Sequence, residues 1–196
     1  MRRFILASAS PRRRELLENI GLKFDIMVST ESEEDIDKNL PPELYCGELA
    51  LKKACAVAKH VEDKNAYIIA ADTVVFSDNV ILGKPKDEKD AYNILKKLSS
   101  KEHKVYTGLC VMRMSDGYSV TRSISTAVKF KELSDEIIYG YIKTKEPYDK
   151  AGAYGIQGKG AVLVDKIEGD YFNVVGLPLS ALYDVLKEEF DIDILN

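Results

Sequence analysis

The sequence predicts an α/β protein with a mixed, twisted sheet in two lobes around a central cleft. Short apolar runs rich in β-branched residues alternate with helical patterns, an order typical of α/β folds. Two strand-like segments joined through Ser115-Asp116-Gly117 are typical of an antiparallel hairpin, so the sheet is expected to be mixed. The 196 residues suffice for one sizeable core, and we expect a single domain over residues 1–196.

The predicted strands are apolar runs bounded by turn-forming residues. In the first, the apolar run Phe4-Ile5-Leu6-Ala7 breaks directly into serine and proline. The strands are expected at Arg3–Ala7, Phe24–Val28, Ala66–Phe76, Val105–Met114, Tyr118–Lys131 and Ala161–Ile167.

The predicted helices rest on capping residues and apolar stripes. Ser10 is placed to cap the first helix, and Pro11 suits its first position, where a missing N–H costs nothing. The second carries apolar residues at helical spacing from Ala50 to Val61. The helices are expected at Pro11–Ile20, Pro42–Val61, Glu88–Leu98, Asp135–Lys143 and Leu179–Glu189.

Composition excludes several classes of protein. A content of 45% apolar and 31% charged residues is ordinary for a globular protein, and a net charge of −4 argues against nonspecific nucleic-acid binding. We expect no membrane span and no signal peptide. Cys46, Cys55 and Cys110 lack metal-ligand spacing, which favours a reduced, cytoplasmic setting. With only His60 and His103, zinc chemistry and a Ser-His-Asp triad are not expected.

The start of the first helix is the strongest local signal. Arg12, Arg13 and Arg14 lie in its first turn, where each cation is disfavoured by about 0.3–1 kcal/mol because the helix dipole is positive there. A bound anion would reverse this, since backbone N–H groups, a serine hydroxyl and guanidinium groups would all face it. The pattern therefore indicates a phosphate site. Solvated arginines, or a weak basic patch on nucleic acid, are the alternatives.

Helical spacing separates these arginines into two groups. Arg12 and Arg13 align with the buried stripe of the helix, whereas Arg14 pairs with Glu18 on the solvated face. We therefore expect Arg12 and Arg13, and not Arg14, to serve an anion.

An acidic residue interrupts a strand that is otherwise apolar. Asp72 and Thr73 lie in the middle of Ala66–Phe76, where a lone buried carboxylate would cost several kcal/mol unless it is paired or binds a metal. The residue therefore serves either chemistry or a structural ion pair. Lysines are its candidate partners: Lys53 borders the apolar stripe of the second helix.

The turn Gly83-Lys84-Pro85-Lys86 would hold two ammonium groups near one place. Exposed loop lysines are common, however, so this signal is weak by itself.

A glycine-rich segment, Glu146–Gly160, is the second strong feature. Its four glycines surround Tyr154 and Gln157, and such density permits a close approach of backbone to a ligand. A tight surface loop would also explain the glycines.

An acidic stretch, Glu31–Asp37, has two interpretations. The carboxylates of Glu31, Glu33, Glu34 and Asp35 are suited to hold Mg²⁺ together with phosphate oxygens. The alternative is a solvated acidic loop.

Seven segments, taken in order, resemble the Maf family of nucleotide pyrophosphatases over nearly the whole chain. Any one alone is weak, but the ordered set is specific. The segments are Leu6–Arg13, Leu49–Ala54, Ala71–Val75, Leu82–Lys86, Val105–Gly108, Asp149–Gly158 and Gly169–Pro178. The resemblance implies a mixed α/β fold related to inosine triphosphate pyrophosphatases (the Maf/Ham1 fold), with two lobes flanking a nucleotide cleft.

The resemblance also implies roles for individual residues. Asp72 would be the general base, with Lys53 and Lys84 also catalytic, and Glu33 and Asp72 would bind a divalent cation, Mg²⁺ or Mn²⁺. Three positions would discriminate between substrates: Arg12, Thr73 and Gln157. The rest of the polar pocket matches at Ser8, Arg13 and Lys86.

The loop Asp149–Gly158 resembles the branch of the family that hydrolyses dTTP and UTP. The resemblance implies a cytoplasmic enzyme acting on nucleoside triphosphates and modified pyrimidine nucleotides, a homodimer, and a link to septum formation. Two alternatives are open: the same chemistry on purine or methylated nucleotides, and a non-catalytic nucleotide- or nucleic-acid-binding regulator of cell division.

Overall fold

A computed structural model describes residues 2–28, 36–37 and 39–195. Its strands are β1 (Arg3–Leu6), β2 (Phe24–Ile26), β3 (Ala66–Ser77), β4 (Val80–Leu82), β5 (Glu102–Arg113), β6 (Ser119–Phe130) and β7 (Val164–Glu168). Its α-helices are α1 (Pro11–Asn19), α2 (Pro42–Ala58), α3 (Glu88–Leu98), α4 (Asp135–Ile142), α5 (Tyr171–Val175) and α6 (Leu179–Phe190). No helix of the described residues has the length and apolar character needed to cross a bilayer.

The sheet is mixed, which confirms the predicted fold class. Its strand order is β2-β1-β3-β5-β6-β7, and β4 pairs with β3. β1 runs parallel to β2 and β3, whereas the β3/β4 and β6/β7 pairs are antiparallel. The predicted hairpin between β5 and β6 is confirmed, because Arg113 donates its N–H to Tyr118 O and accepts from the Gly117 N–H.

Some boundaries differ from the sequence prediction. The strand expected at Ala161–Ile167 begins only at Val164, because Gly158–Leu163 forms a 3₁₀ turn in which Gly158 takes a positive φ of 67°. The prediction lacked β4 and α5, which have three and five residues and are too short for periodicity to reveal.

The chain divides into two compact units. The first unit comprises Met1–Asp72, Thr107–Ile124 and Gly176–Asn196, and the second comprises Thr73–Tyr106 and Ser125–Val175. In the first unit, α2 packs its stripe of Ala50, Ala54 and Val57 into a core with β1, β3 and β5 residues. The second unit has its own core, built from α3, α4 and parts of the strands.

A glycine allows β5 to approach the backbone of α2. A Cβ added at Gly108 would lie 2.2 Å from Cys46 O and 2.6 Å from Gly47 N, which are backbone atoms that cannot turn aside. Close packing at this point fixes the helix that carries Lys53.

Gly108→Ala is therefore expected to destabilise the protein by more than about 3 kcal/mol, or to prevent folding. Gly47→Ala is the matched control, because its Cβ would meet only the Thr121 Cγ2 methyl, at 3.3 Å. That variant should stay within about 1 kcal/mol of the parent protein, since alanine also favours the helix. Urea unfolding of the two variants measures the difference, and equal stability would contradict this account of the packing.

A histidine is buried in the core of the second unit. His103 is 3% exposed, and its Nε2 shares a 2.7 Å hydrogen bond with the Tyr154 hydroxyl. Phe130 and Tyr154 both meet the His103 ring edge-on. Burial lowers the pKa of His103 from 6.5 to about 4, because the charged imidazolium is poorly solvated there.

This histidine is expected to make folding stability fall in acid. Below pH 6.5 His103 is protonated in the unfolded chain but stays neutral in the folded chain. The free energy of unfolding therefore decreases by up to about 3 kcal/mol as the pH falls to about 4. Urea unfolding at several pH values should show a shallower decline for His103→Gln than for the parent. His60→Gln, at an exposed histidine, should keep the parental decline. An unchanged slope in His103→Gln would contradict the assignment.

Candidate active site

The start of α1 holds one arginine in a fixed position. Arg13 donates from Nε to Gly176 O at 2.8 Å and from Nη1 to Ser8 Oγ at 3.0 Å. Gly176 has a φ of 122°, which residues with a side chain rarely adopt. Its carbonyl can therefore face Arg13 because the residue is glycine. Ser8 is 8% exposed. The guanidinium is thus oriented before any ligand binds.

The prediction that the Ser10 side chain caps α1 is wrong. Ser10 is the N-cap residue of α1, but its side chain makes no capping hydrogen bond. Instead the Ser10 N–H donates to Ser8 Oγ at 3.2 Å. Ser8 Oγ therefore accepts from two donors, which directs its own O–H proton outward as a donor suited to an anion.

The arginines separate as the helical spacing predicted. Arg12 and Arg13 are half-buried, whereas Arg14 is exposed and pairs with Glu18 at 2.7 Å. The first turn of α1 contains no acidic residue. Positive charge, first-turn N–H groups without an acceptor inside the helix, and the dipole of α1 therefore combine at one place, and this favours an anion.

Asp72 and Lys53 form an ion pair between β3 and α2. Lys53 Nζ contacts Asp72 Oδ1, and the two side chains are 20% and 14% exposed. The prediction that a lysine pairs with Asp72 is confirmed. The ammonium group offsets part of the cost of burying this carboxylate.

The neighbouring cysteine is not a nucleophile. Burial raises the pKa of Cys46 to about 11, and the charge of Asp72 adds to this effect. Its Sγ lies 3.2 Å from Ser123 Oγ. The thiol is therefore protonated at neutral pH.

The remaining predicted residues with described positions belong to the second unit. Thr73 is half-buried and follows Asp72 directly in β3, and Gln157 is half-buried in the glycine-rich loop. Lys84 and Lys86 are exposed in the turn after β4. The Gly83 carbonyl accepts from the Gly152 N–H at 3.0 Å, so this turn is tied to the segment that leads to Gln157.

The structure thus brings together Ser8 with Arg13, and Lys53 with Asp72. Glu33 lies outside the described residues, as does the rest of the acidic stretch through Asp35. Sequence reasoning missed the contribution of Gly176, which acts through its carbonyl and has no side chain to reveal it.

The chemistry of the Asp72 carboxylate fits a hard cation such as Mg²⁺. Among residues 2–28, 36–37 and 39–195, no group of three or more His, Cys, Asp or Glu side chains is placed to hold a metal ion. Mg²⁺ does not need such a cluster, because one or two carboxylates together with phosphate oxygens and water complete its shell.

The chain matches the family model described as Maf-like protein over residues 3–189. It is 50% identical over 193 residues to the dTTP/UTP pyrophosphatase of Thermoanaerobacter sp. (strain X514), covering 98% of this chain and 100% of that protein. It is 51% identical over 191 residues to the dTTP/UTP pyrophosphatase of Clostridioides difficile (strain 630), covering 97% and 96%.

Among solved structures, the chain is similar to a dITP/XTP pyrophosphatase from Mycobacterium abscessus, with 14% identity and a TM-score of 0.48 over 96% of this chain and 94% of that one. The family match spans both units and includes the α1 start, the Asp72 strand and the Gln157 loop. The chain is therefore a member of the family of Maf-like proteins.

Proposed function

We propose that this protein hydrolyses dTTP and UTP to the nucleoside monophosphate and pyrophosphate. The observation that carries the proposal is the 50% identity, over 98% of this chain and the full length of the relative, to a protein named dTTP/UTP pyrophosphatase. The oriented arginine and the paired carboxylate of the first unit support it, since they are groups that phosphoryl transfer requires.

The triphosphate binds at the start of α1. The Arg13 guanidinium, already oriented by Ser8 and Gly176, contacts the phosphate oxygens. Arg12 adds a second positive charge, and the Ser8 hydroxyl adds a neutral donor. The family resemblance assigns charge neutralisation to Lys84 and Lys86 as well. Transfer of a phosphoryl group depends mainly on such positioning and charge neutralisation.

Asp72 activates the attacking water. Its carboxylate accepts a proton as the water oxygen bonds to the α-phosphorus, and the bond from that phosphorus to the bridging oxygen breaks. The leaving group is pyrophosphate, which takes the electron pair of that bond. Lys53 orients Asp72 through their ion pair.

Gln157 and Thr73 select the base. A uracil or thymine ring presents an imide N–H beside a carbonyl oxygen, and one amide side chain pairs with both. Gln157 is the amide of the glycine-rich loop and is half-buried, which limits competition by water.

Glu33 and Asp72 are the carboxylates that would hold Mg²⁺ or Mn²⁺ with the phosphates. When bound, such a cation supplies Lewis-acid stabilisation of charge on the phosphate oxygens.

A substrate panel tests the proposal. Purified protein is incubated with dTTP, UTP, CTP, GTP and ATP in the presence of Mg²⁺, Mn²⁺ or a chelator, and pyrophosphate and monophosphate are quantified. We expect release from dTTP and UTP with a divalent cation, and none with the chelator. Absence of pyrophosphate from both would contradict the function, and orthophosphate with a diphosphate product would contradict the bond assigned.

The proposal extends to the setting of the enzyme. Modified pyrimidine nucleotides as further substrates, a cytoplasmic location, a homodimer and a link to septum formation are all carried by the family resemblance. Light scattering of the purified protein tests the homodimer, with a monomeric mass as the contradicting result.

A further inference from the structure

The loop Gly155–Gly160, which carries Gln157, is closed on itself. A Cβ added at Gly160 would lie 2.2 Å from Gly155 O, so the two ends of the loop are in contact through their backbones. Gln157 lies between these ends, and the next residue, Gly158, has a φ of 67°. A loop of this kind holds one conformation only when its backbone N–H groups find fixed acceptors.

One acceptor is the carboxylate of Glu146. Its Oε1 accepts from the Lys159 N–H at 3.2 Å, and its Oε2 accepts from the Gly160 N–H at 3.3 Å. A Cβ at Gly158 would lie 3.1 Å from Oε1, so the loop rests directly on this carboxylate. Glu146 is itself held, because Lys150 Nζ donates to its backbone oxygen at 2.7 Å.

A second acceptor is the hydroxyl of Tyr141. It accepts from the Gly155 N–H at 3.2 Å, and the ring is 4% exposed. Burial raises the pKa of Tyr141 to about 12, and Glu146 adds to the increase, so the hydroxyl stays neutral at working pH. Glu146 and Tyr141 thus fix the loop on both sides of Gln157.

We propose that Glu146 and Tyr141 are positioning residues that hold Gln157 in the orientation that selects uracil and thymine over cytosine. The inference rests on the proposed function, because it requires Gln157 to face the base. Cytosine reverses the uracil pattern, offering an acceptor at the ring nitrogen and a donor on the exocyclic amine. A fixed backbone limits the positions from which the Gln157 amide reaches the base, whereas a loose loop lets the amide shift until it pairs with cytosine as well.

Glu146→Gln and Tyr141→Phe test the proposal in the active enzyme. The first places an NH₂ donor against a backbone N–H, and the second removes a hydroxyl that accepts from the Gly155 N–H and donates to the Glu146 side chain. The ratio of kcat/KM for UTP to that for CTP should fall about tenfold in each, because the wrong base is no longer rejected. The controls are Glu168→Gln, at an exposed carboxylate, and Tyr92→Phe, at an exposed hydroxyl that donates to a carboxylate. Both lie in the second unit and should keep the parental ratio.

A merely structural role would lower activity on both substrates by the same factor, and that result would overturn the proposal. An unchanged ratio in a folded variant would do the same. If Glu146→Gln fails to fold, Tyr141→Phe, which is the smaller change, decides the question.

Two readouts separate failure of this inference from failure of the proposed function. Hydrogen exchange of the Gly155, Lys159 and Gly160 amides should accelerate at least tenfold in the variants if these hydrogen bonds fix the loop. Calorimetry with α,β-methylene analogues of UTP and CTP measures base selectivity without turnover. Inactivity of the parent enzyme would refute the proposed hydrolysis and leave the positioning role untouched. Unchanged hydrogen exchange in the variants, or unchanged selectivity for the analogues, would refute the positioning role.

Discussion

Replacing Asp72 by asparagine is expected to reduce the rate of pyrophosphate release by about 10²- to 10⁴-fold while preserving the fold. Asparagine has the same shape but cannot accept a proton from water. The substitution also leaves the Lys53 ammonium, 20% exposed, without its carboxylate partner, which lowers stability modestly. Steady-state assays with UTP, together with circular dichroism of the variant, measure both effects.

Asp25→Asn is the matched control, because Asp25 also pairs with a cation between two elements of the first unit. Its partner is Arg3, at 2.7 Å, and the two side chains are 58% and 47% exposed. Loss of such an exposed pair costs little, so activity should remain within about twofold of the parent. Full activity in Asp72→Asn would contradict the role assigned to this carboxylate.

Arg13→Lys is expected to lower kcat/KM for UTP by about 10²- to 10³-fold although the positive charge is retained. The guanidinium bonds Gly176 O and Ser8 Oγ through two of its nitrogens, and its planar fork suits a third contact with a phosphate. A lysine ammonium is a single point that cannot reach both anchors and a phosphate at once. Initial rates over a range of UTP concentrations measure the loss.

Arg14→Lys provides the comparison one residue along the same helix. Arg14 is exposed and contacts Glu18, so the change should leave kcat/KM within about twofold. Activity retained in both variants would indicate that only the summed charge of the helix start matters, and this would contradict the role of the fixed guanidinium.

Much of the fold was predictable because local signals were strong. α3 begins and ends where expected, at Glu88 and Leu98; its N-cap Asp87 accepts from the Asp90 N–H at 2.7 Å. Pro11 marked the start of α1 correctly. The strand predicted from Ala161 failed because its first residues satisfy a 3₁₀ turn, in which local glycine geometry overrides the apolar pattern.

The candidate site was predictable where a side chain contradicts its surroundings. A carboxylate in an apolar strand identified Asp72, and the edge of a helical stripe identified Lys53, and the two are in contact. Gly176 and Tyr141 were not identified, because a backbone carbonyl and a buried hydroxyl acquire their partners only through the tertiary fold. Glu33 stays a prediction, since it lies outside the described residues.

The most direct test of the central claim is a crystal structure of the Asp72→Asn protein with UTP and Mg²⁺, in which turnover is blocked. The claim is that the triphosphate binds at the start of α1. Phosphate oxygens are expected within hydrogen-bonding distance of the Arg13 guanidinium and the Ser8 hydroxyl, with the α-phosphorus facing residue 72. A nucleotide whose phosphates lie away from Arg13 and from residue 72 would contradict the account.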